Sequence, residues 1–159
     1  MFITRLRTDC YAPDGSIQDG EFVLTAPLIW ELAPNTRLIV PTHFITDFAS
    51  IPKALHFMPG FDVNGRSRAA SVLHDWLYCA QKEVLVYNES GELDHAPFSR
   101  PQADALFRDA LLATNNPPIV AHAMYAAVRC FGWRYWDKRH DGLDSNYDFA
   151  LPQDLLSNQ

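Results

Sequence analysis

The apolar positions of this chain change period partway along it. Up to about residue 45 they alternate or gather in short runs. Phe2–Arg7 sets Phe2, Thr4 and Leu6 against Ile3, Arg5 and Arg7, so one face of an extended segment is the more apolar. Glu21–Thr25, Leu28–Leu32 and Arg37–Val40 are short β-branched or aromatic runs, separated by turn formers at Asp14-Gly15, Pro27, Pro34-Asn35 and Pro41. This half predicts a small antiparallel sheet. From Arg66 the spacing becomes helical: Ala69, Ala70, Leu73 and Leu77 recur three and four residues apart. Ser99–Ala113 repeats the pattern through Ala103, Leu106, Phe107, Ala110 and Leu111. Ser99 and Gln102 stand at capping-box spacing there, with Pro101 in the first turn. A third helix is expected from an Asn116 cap, with Val120, Ala123, Met124, Ala127, Val128 and Phe131 on its apolar face and Gly132 at its end.

The stretches between these elements read as connections. Thr42–Pro52 is too broken for a long element and too apolar for a free loop, and reads as a packed turn in which Thr46, Asp47 and Ser50 can bond backbone groups, with Asp47 as a cap in preference to a catalytic group. Pro59-Gly60 and Asn64-Gly65 bracket a turn-rich loop able to expose backbone carbonyls. Glu83–Tyr87 followed by polar Asn88–His95 reads as a hairpin or an excursion. The fold class is α+β: a small N-terminal antiparallel β region, then a helical half of about three main helices. One domain spans 1–159, with 1–45 mainly β, 66–135 mainly helical and 142–159 a tail that lies along the surface or docks on a partner.

Composition narrows the function classes. A net charge of −6 argues against a broad nucleic-acid surface. Three widely spaced cysteines, Cys10, Cys79 and Cys130, make no disulfide framework and fit synthesis in a reducing compartment. Met1–Arg7 lacks the apolar run of a signal peptide, and no stretch approaches a transmembrane segment, so synthesis in the cytoplasm is expected. Aromatic content is 13%, which suits a dense core or an adhesive interface.

The candidate chemistry sits on the first two helices. His74 and Tyr78 are four residues apart and share a helix face, while Asp75 projects about 100° further round. Antiparallel packing of the helices would bring Asp104 to His74. A histidine acting as general base needs an acceptor on its second nitrogen, and Asp104 suits that role, with Tyr78 bonding Asp104 to fix the geometry. Asp75 would then ligate a hard cation such as calcium, helped by carbonyls of the preceding loop, and the cation would polarise an ester carbonyl. The structural alternative uses the same side chains as a buried network, His74 on Asp104 under Tyr78, with Asp75 held by Arg66, Arg68 or Arg100. A zinc or two-metal site built from His43, His56, His74 or His95 is disfavoured by their scatter over unlike elements.

Four ordered motifs carry a resemblance. Thr46–Pro52 (T-D-F-A-S-I-P), Leu73–Tyr78 (L-H-D-W-L-Y), Ser99–Phe107 (S-R-x-x-A-D-x-x-F) and Met124–Gly132 (M-Y-x-x-V-R-x-F-G) look like an uncharacterised family of phage and prophage proteins, described as a domain of unknown function. The resemblance covers roughly Leu38 to Trp136 and implies phage origin. H-D-x-x-Y followed by A-D-x-x-F is also similar to the catalytic helices of secreted and parvoviral-type phospholipases of the A-two class. That likeness implies His74 as base, Asp75 as calcium ligand, Tyr78 as network tyrosine and Asp104 as the histidine's partner, with Met58-Pro59-Gly60 nearest the calcium loop. Two functions follow as expectations: a calcium-dependent phospholipase or esterase, with virion carriage allowed, or a non-enzymatic tail or baseplate component that meets other virion proteins through its aromatic segment Trp133–Trp136.

Overall fold

The computed structural model describes residues 1–10, 22–48 and 65–136. The turn-rich stretch 59–64, the second half of the 42–52 connection and the tail at 142–159 lie outside the described residues. Seven short strands and four helices are described: β1 (Thr8–Cys10), β2 (Phe22–Leu24), β3 (Leu28–Ala33), β4 (Thr36–Val40), β5 (Ile45–Thr46), α1 (Arg68–Ala80), β6 (Val84–Tyr87), β7 (Leu93–Ala96), α2 (Arg100–Ala113), α3 (Pro118–Phe131) and α4 (Trp133–Trp136). The class is α+β, as the change of period implies.

The strands form two antiparallel sheets, one ordered β1-β2-β5 and the other β3-β4-β6-β7. The β3–β4 turn is tight because Asn35 takes a left-handed φ of 64°, a conformation asparagine tolerates. The hairpin read at 83–95 exists, and its first strand adds to β4, so the larger sheet draws strands from both halves of the chain. The expected strand at Phe2–Arg7 is replaced by a looser attachment. Phe2 bridges Trp30, Ile3 N–H donates to Ile29 O at 2.9 Å and Glu31 N–H to Met1 O at 2.9 Å, and regular pairing begins at Thr8.

Helix α1 is the centre of the packing, against α2, α4, β4 and β6. Its expected one-sided stripe is in fact an almost complete sleeve: every residue from Ala70 to Tyr78 is buried, and so is Ala80. An element covered on most sides must be filled all round, and that draws Ser71, His74 and Asp75 inside beside Val72, Leu73, Trp76 and Leu77. One sheet face, through Leu28, Trp30, Leu38, Val40, Val84 and Val86, joins the helices in a single core. Along these strands the alternate residues Ile29, Ile39 and Leu85 form a second cluster on the opposite face.

The capping box of α2 is present, with Ser99 N–H donating to Gln102 Oε1 at 2.8 Å. The start of α3 differs from expectation. The helix begins at Pro118 with Pro117 as its N-cap residue, and Asn116 is drawn inward instead. Its amide donates to Leu111 O at 3.0 Å and to Thr114 Oγ1 at 2.9 Å, and its oxygen accepts from Ser67 Oγ at 3.1 Å. Asn116 thus ties the end of α2 to the residue preceding α1. Phe131, expected on the apolar face of α3, is 64% exposed. Among the described residues no helix is long and apolar enough to cross a membrane.

Candidate functional site

Antiparallel packing of α1 on α2 brings His74 and Asp104 together as their spacing implies. His74 Nε2 lies 2.9 Å from Asp104 Oδ1, and Tyr78 Oη donates to the same oxygen at 2.6 Å. One turn of α1 separates the histidine from the tyrosine, so their rings meet, tilted by 46°, with centroids 4.2 Å apart. Phe107, one turn beyond Asp104 on α2, covers the other side of the imidazole at 4.6 Å. Trp136 of α4 meets the Tyr78 ring edge-on at 5.0 Å. Asp104 is fully buried, and His74 is 2% and Tyr78 3% exposed.

Burying a carboxylate in such a place is costly unless it is paired. The partner comes from α3. Arg129 Nη1 donates to Asp104 Oδ2 at 2.8 Å. Arg100, four residues before Asp104 on α2, is 3.6 Å from the same oxygen. Its Nη1 is already engaged with the carbonyls of Val128 at 3.4 Å and Arg129 at 3.0 Å, closing the C-terminal end of α3. Burial works to raise the Asp104 pKa, but the hydrogen bonds from His74, Tyr78 and Arg129 outweigh it and hold the carboxyl below its ordinary value. Burial, followed by the bond to Asp104, pushes the Tyr78 phenol well above its ordinary range. The bond to Asp104 raises the Arg129 pKa further. The group is therefore an ionised carboxylate facing a guanidinium on one oxygen, with imidazole and phenol on the other. A carboxylate offers only acceptors, so a neutral His74 carries its proton on Nε2 and its lone pair on Nδ1.

Asp75 lies apart from this group. It is 1% exposed, and its Oδ2 accepts from Thr46 Oγ1 at 2.6 Å. Thr46 in turn accepts from Phe48 N–H at 3.1 Å, which locks the tight turn after β5 where Phe48 takes a φ of 52°. Thr46 makes one of the local backbone bonds expected of this turn, and Asp47 is exposed. The arginines expected near Asp75 make the following contacts. Arg66 donates to Asn115 O at 3.1 Å, Arg68 lies over the Phe22 and Phe48 rings at 4.8 and 4.3 Å, and Arg100 serves Asp104 and α3.

Calcium takes about six to eight oxygen ligands. Asp75 and Thr46 put two oxygens at one place, and among the described residues no group of three or more His, Cys, Asp or Glu gathers to hold a metal. Apart from Gly65, the loop expected to supply carbonyls lies outside the described residues. Asp75 with Thr46 is thus a fragment of a donor set.

Three contributors were missed in the sequence. Arg129 is the one charged residue in the last two turns of an apolar helix, directly after buried Val128, and that was its signal. Thr46 is legible as a local backbone-bonding residue of T-D-F-A-S-I-P, but nothing in the sequence signalled its bond to Asp75. Gly132 was read only as a helix stop, although its φ of −67° is open to any residue. What requires glycine is proximity: a Cβ there would stand 2.4 Å from Tyr78 Oη and 2.5 Å from Val128 O.

An α+β protein with a buried His–Asp–Tyr–Arg group is the class that fold and site define. The chain belongs to the family described as "Protein of unknown function (DUF1353)", which matches residues 22–128. The site residues His74, Asp75, Tyr78 and Asp104 lie within that match, whereas Arg129 follows it directly and Gly132 lies a few residues beyond. No curated protein matches the chain. No solved structure matches it either.

Proposed function

We propose that the chain is a phage-encoded hydrolase of carboxylic esters, with phospholipid as its substrate class. The observation that carries this reading is the double acceptance at Asp104 Oδ1, which takes both His74 Nε2 and Tyr78 Oη. A carboxylate so placed orients the imidazole and stabilises the imidazolium that forms when Nδ1 takes a proton from water. The hydroxide attacks the ester carbonyl, and the same nitrogen returns the proton to the leaving alkoxide. At 2% exposure, His74 meets water and substrate only after part of its cover moves aside. Asp75 is the carboxylate offered to calcium. Titration calorimetry of the full chain with calcium, wild type beside Asp75→Ala, tests that element: heat that vanishes in the folded variant supports it, and no heat in the wild type removes it. Manufacture in the host cytoplasm and carriage in the virion belong to the same proposal and rest on the sequence motifs.

A second reading has its own observation. His74, Asp75, Tyr78 and Asp104 are all at most 3% exposed, as a purely structural network would be. Phe131, Trp133 and Tyr135, exposed by 64%, 51% and 64%, would then be the working surface, in a tail or baseplate component. Co-sedimentation of the chain with purified virions, with no esterase activity, is the result that favours it.

A further inference from the structure

We propose that α4 and the adjoining end of α3 are the surface by which the chain docks on an anionic phospholipid bilayer, a role that rests on the reading of phospholipid as its substrate class.

The charge of this surface is set against that of the chain. The whole sequence carries −6, yet no Asp or Glu occurs between Asp109 and Asp137, an interval that holds Arg129 and Arg134. Arg100 joins them in space, since its Nη1 donates to the carbonyls of Val128 at 3.4 Å and Arg129 at 3.0 Å. Among the described residues Asp104 is the one carboxylate paired with any of these three arginines. It is buried, whereas Arg100 and Arg129 are partly exposed and Arg134 is exposed. Three guanidinium groups against one carboxylate leave a positive surplus on an otherwise acidic protein. An anionic bilayer repels most of such a molecule, so this patch is the side that can approach it.

Helix geometry arranges the side chains. α4 is a single turn, and its last residue faces inward: the Trp136 ring meets Tyr78 at 5.0 Å, and its carbonyl accepts from Gln81 Nε2 at 2.7 Å. At about 100° per residue, Arg134 then points outward with Trp133 and Tyr135 on its two flanks. The Arg134 guanidinium lies 5.2 Å from the centre of the Trp133 ring. Trp133 and Tyr135 are exposed, as is Phe131 at the end of α3. A cation between a tryptophan and a tyrosine fits the boundary of a bilayer. Lipid phosphates take the guanidinium, the amphipathic rings lie at headgroup level, and Phe131 meets the acyl chains. The same turn covers Tyr78, so the face that meets lipid also caps the buried His–Asp–Tyr–Arg group.

The test is flotation of the full chain with vesicles of equal parts phosphatidylglycerol and phosphatidylcholine, beside vesicles of phosphatidylcholine alone. A chelator is present, so that no divalent cation bridges protein and lipid. The wild type is expected to float with the anionic vesicles, and less as salt rises. Arg134→Glu changes the local charge by two and should weaken binding about 30-fold, at about fivefold per charge beside an anionic surface. Trp133→Ser combined with Tyr135→Ser should abolish flotation, and Arg134→Glu carries the test alone if that double variant does not fold. Ile119→Ser removes another exposed apolar side chain, about 18 Å away at the other end of α3, and should bind as the wild type does. No flotation by the wild type, equal flotation with both vesicles, or unchanged binding by Arg134→Glu overturns the proposal. So does capture by purified virions in place of vesicles, which would give the surface to a protein partner. Flotation needs no hydrolysis. A chain that floats but releases no fatty acid keeps its docking surface and loses the hydrolytic reading, and one that cleaves dissolved short-chain lipid without floating does the reverse.

Discussion

Gly132→Ala is the substitution whose effect the geometry sets most sharply. The new methyl carbon would lie 2.4 Å from Tyr78 Oη, 3.4 Å from Tyr78 Cζ and 2.5 Å from Val128 O. The Cζ contact is ordinary, but the other two are about 1 Å too short, so the tyrosine must withdraw and the end of α3 must shift. Overpacking of this kind costs about 1–3 kcal/mol. Withdrawal also breaks the 2.6 Å bond to Asp104, a charge-assisted one worth about 1.5–3 kcal/mol. The gain from a less flexible unfolded chain is at most about 1 kcal/mol. The net expectation is a loss of about 3 kcal/mol, a fall in melting temperature of about 6–12 °C for a chain of this size. Tyr78→Phe alone loses the bond and costs about 2 kcal/mol. In the double variant the struck oxygen is gone, so its loss should fall short of the sum by about 1 kcal/mol or more. The assay is reversible urea unfolding of the four proteins, followed by circular dichroism. A neutral Gly132→Ala, or strict additivity, refutes the claim that the glycine exists to seat the tyrosine.

Other outcomes follow from the same contacts. Asp104→Asn keeps shape and removes charge, and should cost about 3 kcal/mol at neutral pH, since Arg129 loses its partner but can turn toward solvent. Because the folded pKa of Asp104 is depressed, its contribution is fully present above the ordinary aspartate value of about 3.9 and is lost as pH falls below it. Melting curves of wild type and Asp104→Asn should therefore converge toward acid pH, and a gap that persists unchanged to pH 2 would contradict this. Thr46→Val deprives a buried carboxylate of a 2.6 Å donor and should cost about 2 kcal/mol by urea unfolding, against near neutrality if Asp75 needs no donor.

How far the sequence reached depends on the range of each interaction. Two helices with His74, Tyr78 and Asp104 at their observed spacing could be paired on paper, because periodicity fixes which residues share a face. The capping box at Ser99 and Gln102 is local for the same reason. Asn116 was misread because an asparagine before two prolines looks like a cap, and only the folded structure shows a buried gap between α1 and α2 for its amide to fill. Thr46 and Arg129 meet their carboxylates across 29 and 25 residues of chain, and no local pattern encodes such a meeting. Phe131 fits the α3 stripe by spacing, yet it is exposed, because spacing alone does not say which part of a stripe a neighbour covers.

The most direct test of the central claim is fatty-acid release from phospholipid vesicles by the full-length protein with calcium present, wild type beside a folded His74→Gln. The account predicts release by the wild type and its loss by at least about a hundredfold in the variant, the scale of a removed general base. Equal release by both, or none by the wild type across vesicle compositions, would contradict it and leave His74, Tyr78, Asp104 and Arg129 as the structural network that joins α1, α2 and α3.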